Sequence, residues 1–315
     1  MPLDVGGLGS QSRSLCQASS FAFYRAVRDL LPVWRLEELR TTRAFHWEDD
    51  RRACAYTPSE ALLYALVHDH QPYARYLLSR FSLRALEMPS RSFCCCPSSN
   101  TPHLAVAVRY NRSAILRMIL DSARSFPEKE RRSYVNSRGC AHADGGKTAL
   151  HLACDLARPE CVMLLLGGAA CPYAADPHGD TPLDSLLRQV RQVRQVCESA
   201  AGARPERACL GYLLLYMREL RFRTRRELRE DPRPWRALLG ERVFQWLSGS
   251  APPSLFVFAM RALIGAAPGE QLDSLPVPDF LKPLDVRLHW VLCRVPPSLG
   301  RGREVRDAAH TEECV

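Results

Sequence analysis

Long apolar runs are what this 315-residue chain most plainly lacks. No stretch approaches the ~18 uninterrupted apolar residues that cross a bilayer, so no membrane partner is expected. The opening MPLDVGGLGSQSRSLCQ has no basic segment leading into an apolar one, and a cytoplasmic location is the expectation. The short catalytic fingerprints are missing too: no G-x-S-x-G elbow, Walker loop, dinucleotide glycine pattern or H-E-x-x-H pair occurs. The reading is therefore a protein that is not an enzyme and needs no cofactor. Metal-ligand spacing is also wanting. Cys94-Cys95-Cys96 are adjacent, whereas zinc sites use spaced cysteine pairs with a second pair downstream, so no metal is expected. The 13 cysteines are odd in number in a long chain without an export signal, and they read as free thiols.

What is present is an ordinary globular composition, 46% hydrophobic and 24% charged. The net charge of +9 could draw acidic partners or nucleic acid. Much of it lies in RELRFRTRRELREDPRPWR, from Arg218 to Arg236, where acids alternate with arginines. Mixed signs at helical spacing describe a solvated helix face, so no nucleic acid is expected to bind.

Self-similarity is the strongest signal. Thr148-Ala149-Leu150-His151-Leu152-Ala153 is echoed 33 residues later by Thr181-Pro182-Leu183-Asp184. Thr148 can cap a first helix through its hydroxyl, with Leu150, Ala153 and Cys154 as a small apolar stripe that lets helices stack closely. Val162, Leu164, Leu165 and Leu166 would form a second helix, ended by Gly167-Gly168 where a left-handed cap fits. Weaker copies run from Thr101 to Leu120 and from Ser59 to Leu78. The pattern resembles the ankyrin repeat, which opens T-P-L-H-x-A with a period of ~33 residues. The signature residues are Thr148, Leu150, His151, Ala153, Thr181, Pro182 and Leu183, and the resemblance gives His151 a structural hydrogen bond rather than a catalytic role. The copies begin near Ala61, Pro102, Thr148 and Thr181; the excess over one period falls in loop insertions at 89–99 and 125–146, a placement that often serves binding. His68 and His70 point to different helix faces and read as surface and turn residues.

Ahead of the array, Ser19 to Arg40 reads as an amphipathic pair broken at Pro32, with Phe23, Val27, Leu30 and Leu31 facing inward. A terminal cap is expected there because end repeats must be atypical. Behind it, RQVRQVRQV reads as an exposed helix extension, and 198–207 as a boundary. Trp235, Phe244 and Trp246 read as core aromatics of later helices.

Near the end, Ser254 can cap a helix carrying Leu255, Phe258, Ala259, Ala262 and Leu263 on one side, and Pro276 and Pro278 fix an extended turn. The order resembles the SOCS box of cullin-RING ubiquitin-ligase receptors. The elongin-binding half maps onto Ser254, Leu255, Phe258, Ala259 and Leu263. The resemblance implies that Leu255 enters a pocket on elongin C while Ala259 permits close helix approach. The cullin half resembles the L-P-aliphatic-P type at Leu275, Pro276, Val277 and Pro278, implying a cullin-five scaffold with its RING protein.

The fold class expected is all-α: an ankyrin-repeat solenoid with an N-terminal helical cap and a C-terminal helical SOCS-box-like module. The divisions are 1–50 for the arm and cap, 51–197 for repeats with units near 58–80, 101–122, 147–170 and 180–197, 198–250 for linker and helices, 251–285 for the box and 286–315 for a flexible tail. The resemblance to such receptors implies that the repeats hold a client, a nucleotide-metabolism enzyme such as IMP dehydrogenase, while elongin B/C and the cullin promote its ubiquitination and proteasomal degradation. The alternative is a protein-interaction scaffold that recruits no ligase.

Overall fold

A Thr ahead of a short apolar run offers its hydroxyl to an unpaired amide of the first helical turn, and the helices that start at Pro58, Ala149 and Pro182 begin accordingly. The computed structural model describes residues 22–42, 45–46, 53–90, 102–196 and 204–266. Its helices are α1 over 22–28, α2 (Val33–Thr42), α3 (Pro58–His68), α4 (Gln71–Phe81), α5 (His103–Arg109), α6 (Ser113–Ala123), α7 (Glu128–Val135), α8 (Ala141–Asp144), α9 (Ala149–Asp155), α10 (Pro159–Gly167), α11 (Pro182–Val196), α12 (Arg204–Tyr216), α13 (Arg225–Glu230), α14 (Pro232–Leu239), α15 (Glu241–Ser248) and α16 (Leu255–Ala266). Extended pairing among the described residues is limited to a two-residue ladder, Phe45–His46 against Ala53–Cys54, and one bridge between Arg138 and Thr148.

Four antiparallel pairs stack side by side: α3 with α4, α5 with α6, α9 with α10 and α11 with α12. First helices pack in the order α3, α5, α9, α11; second helices pack as α4, α6, α10, α12. The result is an all-α ankyrin-repeat solenoid with one continuous core from Phe23 to Leu247. Close stacking needs small side chains, and Ala65, Ala107 and Ala153 supply them, fully buried in the first helices.

The turn inside each of the first three pairs has one construction. Asp69, Asn111 and Ala157 take left-handed φ of 56°, 55° and 47°, and the next amide returns to the buried alanine's carbonyl: His70 to Ala65 at 2.9 Å, Arg112 to Ala107 at 2.8 Å, Arg158 to Ala153 at 2.9 Å. The α1–α2 connection repeats it, with Leu30 at φ 53° and the Leu31 amide on Ala26 O at 3.0 Å. The N-terminal pair is thus a degenerate repeat, and α2 lies against α4 in the second-helix layer. This geometry corrects the inward placement of Leu30 and Leu31: both sit at the turn and are exposed, while Phe23 and Val27 are buried.

A buried polar knot holds that pair to the first repeat. Glu37 accepts two hydrogen bonds of 2.7 Å from Arg40 and one of 2.7 Å from the Tyr73 hydroxyl, and Arg40 also donates to Tyr56 O at 2.9 Å. His70, read with His68 as a surface or turn residue, stands in the turn but is buried: Nδ1 accepts from the Tyr73 amide at 3.2 Å and caps α4, and Nε2 donates to Leu31 O at 2.9 Å. His68 is half-buried, edge-on to Tyr24.

Two further expectations change. The 125–146 insertion is not simply loop, because it forms α7 and α8 and buries Tyr134 and Val135. At the end of α10, the left-handed residue is Ala169, at φ 73°, and not Gly168, whose φ is −80°. Gly168 is required for a different reason: a Cβ there would meet Leu120 Cδ2 at 2.9 Å, so glycine is what lets α6 approach.

Candidate functional site

The signatures of the first, third and fourth units are capping boxes whose fourth residue also reaches a neighbouring segment. In the third unit Thr148 Oγ1 accepts from the His151 amide at 3.5 Å, His151 Nδ1 lies 2.8 Å from the same hydroxyl, and Nε2 donates to Asp180 O at 3.0 Å in the next loop. Burial lowers the pKa of His151, the Asp180 carbonyl opposing that in part, so it stays neutral near pH 7 and serves structure. Leu150 and Ala153 beside it are buried. In the first unit Glu60 stands in the His position: Oε2 accepts from the Thr57 amide at 2.9 Å and Oε1 from the Ser90 amide at 3.1 Å. In the fourth unit Asp184 does the same. Its Oδ2 accepts from the Thr181 amide at 2.9 Å and hydroxyl at 2.7 Å, while Oδ1 takes the Thr224 amide and hydroxyl, both at 2.7 Å. Burial pushes the Asp184 carboxyl up, but these hydrogen bonds outweigh it and leave the pKa below the usual value. Pro182 and Leu183 open α11 and are buried.

Asp184 therefore joins the solenoid to the C-terminal helices, where a following repeat would otherwise stand. Of the arginines in 218–236, Arg223 crosses that junction, Arg229 ties α13 to the end of α15, and Arg221 and Arg226 stay exposed. Arg223 donates to His178 O, and Arg229 donates twice to Ser248 O, at 3.1 and 2.9 Å. Arg226 pairs with Glu230 at 2.6 Å, and Arg236 lies 4.9 Å over the Phe244 ring. Trp235 and Phe244 are buried, and Trp246 is half-buried.

Helix α16 follows, and its two faces differ. Val257 and Met260 are buried against Leu215 of α12, with Phe256, Leu263, Ile264 and Trp246 packed around them. Arg261 fastens the helix: its guanidinium donates to Leu214 O at 2.8 and 3.2 Å and lies 5.2 Å over the Trp246 ring. The opposite face carries Leu255, 86% exposed, and Phe258, 50% exposed, with Ala259 and Ala262 exposed between and beyond them. Ser254 precedes the helix, its hydroxyl 3.5 Å from the Val257 amide. Five residues singled out in the sequence thus split four to one. Ser254, Leu255, Phe258 and Ala259 lie open, whereas Leu263 is half-buried in the anchoring cluster. Leu275, Pro276, Val277 and Pro278 lie outside the described residues, as do Cys94, Cys95 and Cys96.

Residues 145–177 match the ankyrin repeat family, the stretch where the signature is fullest. Over 309 residues, 90% of this chain and 94% of the relative, the sequence is 50% identical to mouse ankyrin repeat domain-containing protein 9. The chain belongs to the family of ankyrin repeat domain-containing protein 9. In this family member the repeats supply a protein-binding surface, and among the described residues no helix is long and apolar enough to cross a membrane.

Two functional elements of this family member escape a reading by motif. Asp184 departs from the T-P-L-H pattern, and that departure is the signal that could have found the junction. Arg261 sits in an otherwise apolar helix, where a lone cation marks the side that must meet carbonyls or an aromatic ring.

Proposed function

We propose that this chain is the non-catalytic substrate-recognition subunit of an elongin B/C cullin-RING ubiquitin ligase. The observation that carries the reading is the exposed row of Leu255, Phe258 and Ala259 on a helix whose other face is anchored. Large apolar side chains held in water on a fixed helix are suited to insertion into a partner's groove. Leu255 fills the elongin C pocket, Ala259 admits the partner backbone, and Ser254 starts the helix. Leu263 acts from beneath, as packing that orients the row. Leu275, Pro276, Val277 and Pro278 engage a cullin-five scaffold with its RING protein, and the repeats hold a cytoplasmic client, for which resemblance suggests IMP dehydrogenase. The chain then raises the local concentration of client lysines near the ubiquitin carrier, and the client is degraded by the proteasome.

A pull-down of the purified full chain with elongin B/C tests this. Wild type is expected to capture elongin, and Leu255→Asp to lose capture with its thermal midpoint unchanged, since the side chain makes no core contact. Pro276→Ala/Pro278→Ala should keep elongin and lose the cullin. Absence of elongin capture by folded wild type leaves an interaction scaffold in which α16 docks elsewhere.

A further inference from the structure

First helices and connecting loops of the third and fourth units border an open cavity of about 470 Å³. Ala143, Asp144 and Gly145 reach it from the 125–146 insertion, Lys147, Leu152 and Asp155 from around α9, Asp176 and His178 from the connecting loop, and Arg188 from α11. Most of its charges are matched. Lys147 Nζ donates to Asp155 Oδ2 at 2.5 Å, Asp144 pairs with Arg109 and accepts from the Cys140 amide at 3.0 Å, and Arg188 pairs with Asp180.

Asp176 is the exception among the described carboxylates lining the cavity. It is 4% exposed; Oδ1 accepts from the His178 amide at 2.8 Å and the Asp180 amide at 2.9 Å, while Oδ2 is buried with no donor. Burial pushes the carboxyl pKa up, but the amide bonds from Asp180 and His178 outweigh it and hold the group below its ordinary value, so it is charged near neutrality. A buried carboxylate oxygen without a donor is costly, and the free solenoid carries that cost. A ligand bringing a cation and an N–H donor removes it.

We infer that this cavity is a socket for a basic side chain, Arg or Lys, of a bound protein, its cationic head taken by Asp176 Oδ2 and its aliphatic stem lying against Leu152. The inference deepens the client-binding reading and rests on it only in that the repeats bind a protein. A metal ion is a poor occupant, because Asp144 and Asp155 are already paired and no metal-ligand cluster occurs among the described residues. Arginine is the better fit of the two side chains, since its several N–H groups can meet Oδ2 and a neighbouring carbonyl together.

The full-length chain is titrated with N-acetyl-argininamide, with N-acetyl-citrullinamide as an uncharged isostere and with spermine, following backbone amide resonances by NMR. Saturable shifts are expected at His178 and Asp180, whose amides already donate to Asp176, with none from the citrulline compound. Asp176→Asn keeps the Oδ1 acceptor that builds the turn and should bind N-acetyl-argininamide about tenfold more weakly or worse. Equal affinity in Asp176→Asn, saturation by the citrulline compound, or shifts confined to other regions of wild type would overturn the inference. Saturation by spermine alone would also overturn it, and assign the cavity to a polyamine. Elongin capture by Asp176→Asn should be intact. Wild type that binds N-acetyl-argininamide but captures no elongin sinks the ligase reading and leaves the socket standing.

Discussion

His103 shows how much one buried residue contributes. It opens α5, is fully buried, and its Nε2 donates to Ser59 O at 3.1 Å with the Ser59 hydroxyl 3.2 Å away; that hydroxyl in turn donates to Glu87 O at 2.7 Å. Nδ1 has no partner, and burial pulls the pKa down to about 4. The sign follows from linkage. Between the unfolded value of 6.5 and about 4 the unfolded chain takes up a proton that the native one refuses, so stability is lost as pH falls through that window. The loss is on the order of 3 kcal/mol by pH 4 and negligible above pH 7. Urea unfolding at pH 7 and pH 5 should show the drop, and His103→Gln should narrow it; an unchanged difference in the variant would remove His103 as its source. The sequence displayed His103 only as part of a weak repeat copy. Its burial depends on the Ser59 carbonyl, 44 residues away, and no local spacing encodes that contact.

At the level of elements, α16 matters most, because its place on the molecule rests on few contacts. Its anchoring cluster contains three buried residues, Leu215, Val257 and Met260, and Arg261 supplies its polar attachment to α12. Replacing Arg261 with Met keeps the stem and removes the hydrogen bonds to Leu214 O and the contact with Trp246. A local loss of about 1–3 kcal/mol is expected. Hydrogen exchange should then accelerate within 255–264 while α5, α6, α9 and α10 keep their protection. Uniform acceleration across all helices would mean that Arg261 supports the whole fold instead. The apolar spacing of this helix was plain in the sequence, yet it could not say which apolar residues meet α12. Leu263 shared the stripe with Leu255 and Phe258 and still turned inward, because Leu215 and Trp246 lie on that side.

Across the whole molecule, the repeats and α16 are joined through α11, α12 and the segment leading into α13. Solenoid stability is a sum over units and their interfaces, so a bond at the last interface protects the end of the array. Asp184→Ala removes the fourth capping box and leaves the Thr224 amide and hydroxyl without their acceptor, a loss of about 2–4 kcal/mol. Thr224→Ala leaves the Thr181 cap and one bond to Asp184 intact and should cost about 1 kcal/mol. Urea denaturation followed by circular dichroism distinguishes them. Equal losses in the two variants would show that Asp184 acts through Thr224 alone and that its cap is dispensable.

The sequence by itself determined the repeating unit. Thr caps, small alanines and leucine-rich second helices are local, periodic features, and stacking follows once each pair has an apolar face to bury. It also marked α16, since Ser254 and the apolar stripe that follows it are neighbours in sequence. Tertiary structure alone decided the rest. Leu30 moved outward because the α1–α2 turn copies the repeats, Gly168 proved necessary because Leu120 packs onto it, and His70 was buried by Leu31, 39 residues earlier. Each outcome depends on a partner distant in the chain, and pattern within a segment carries no record of which distant atoms will arrive.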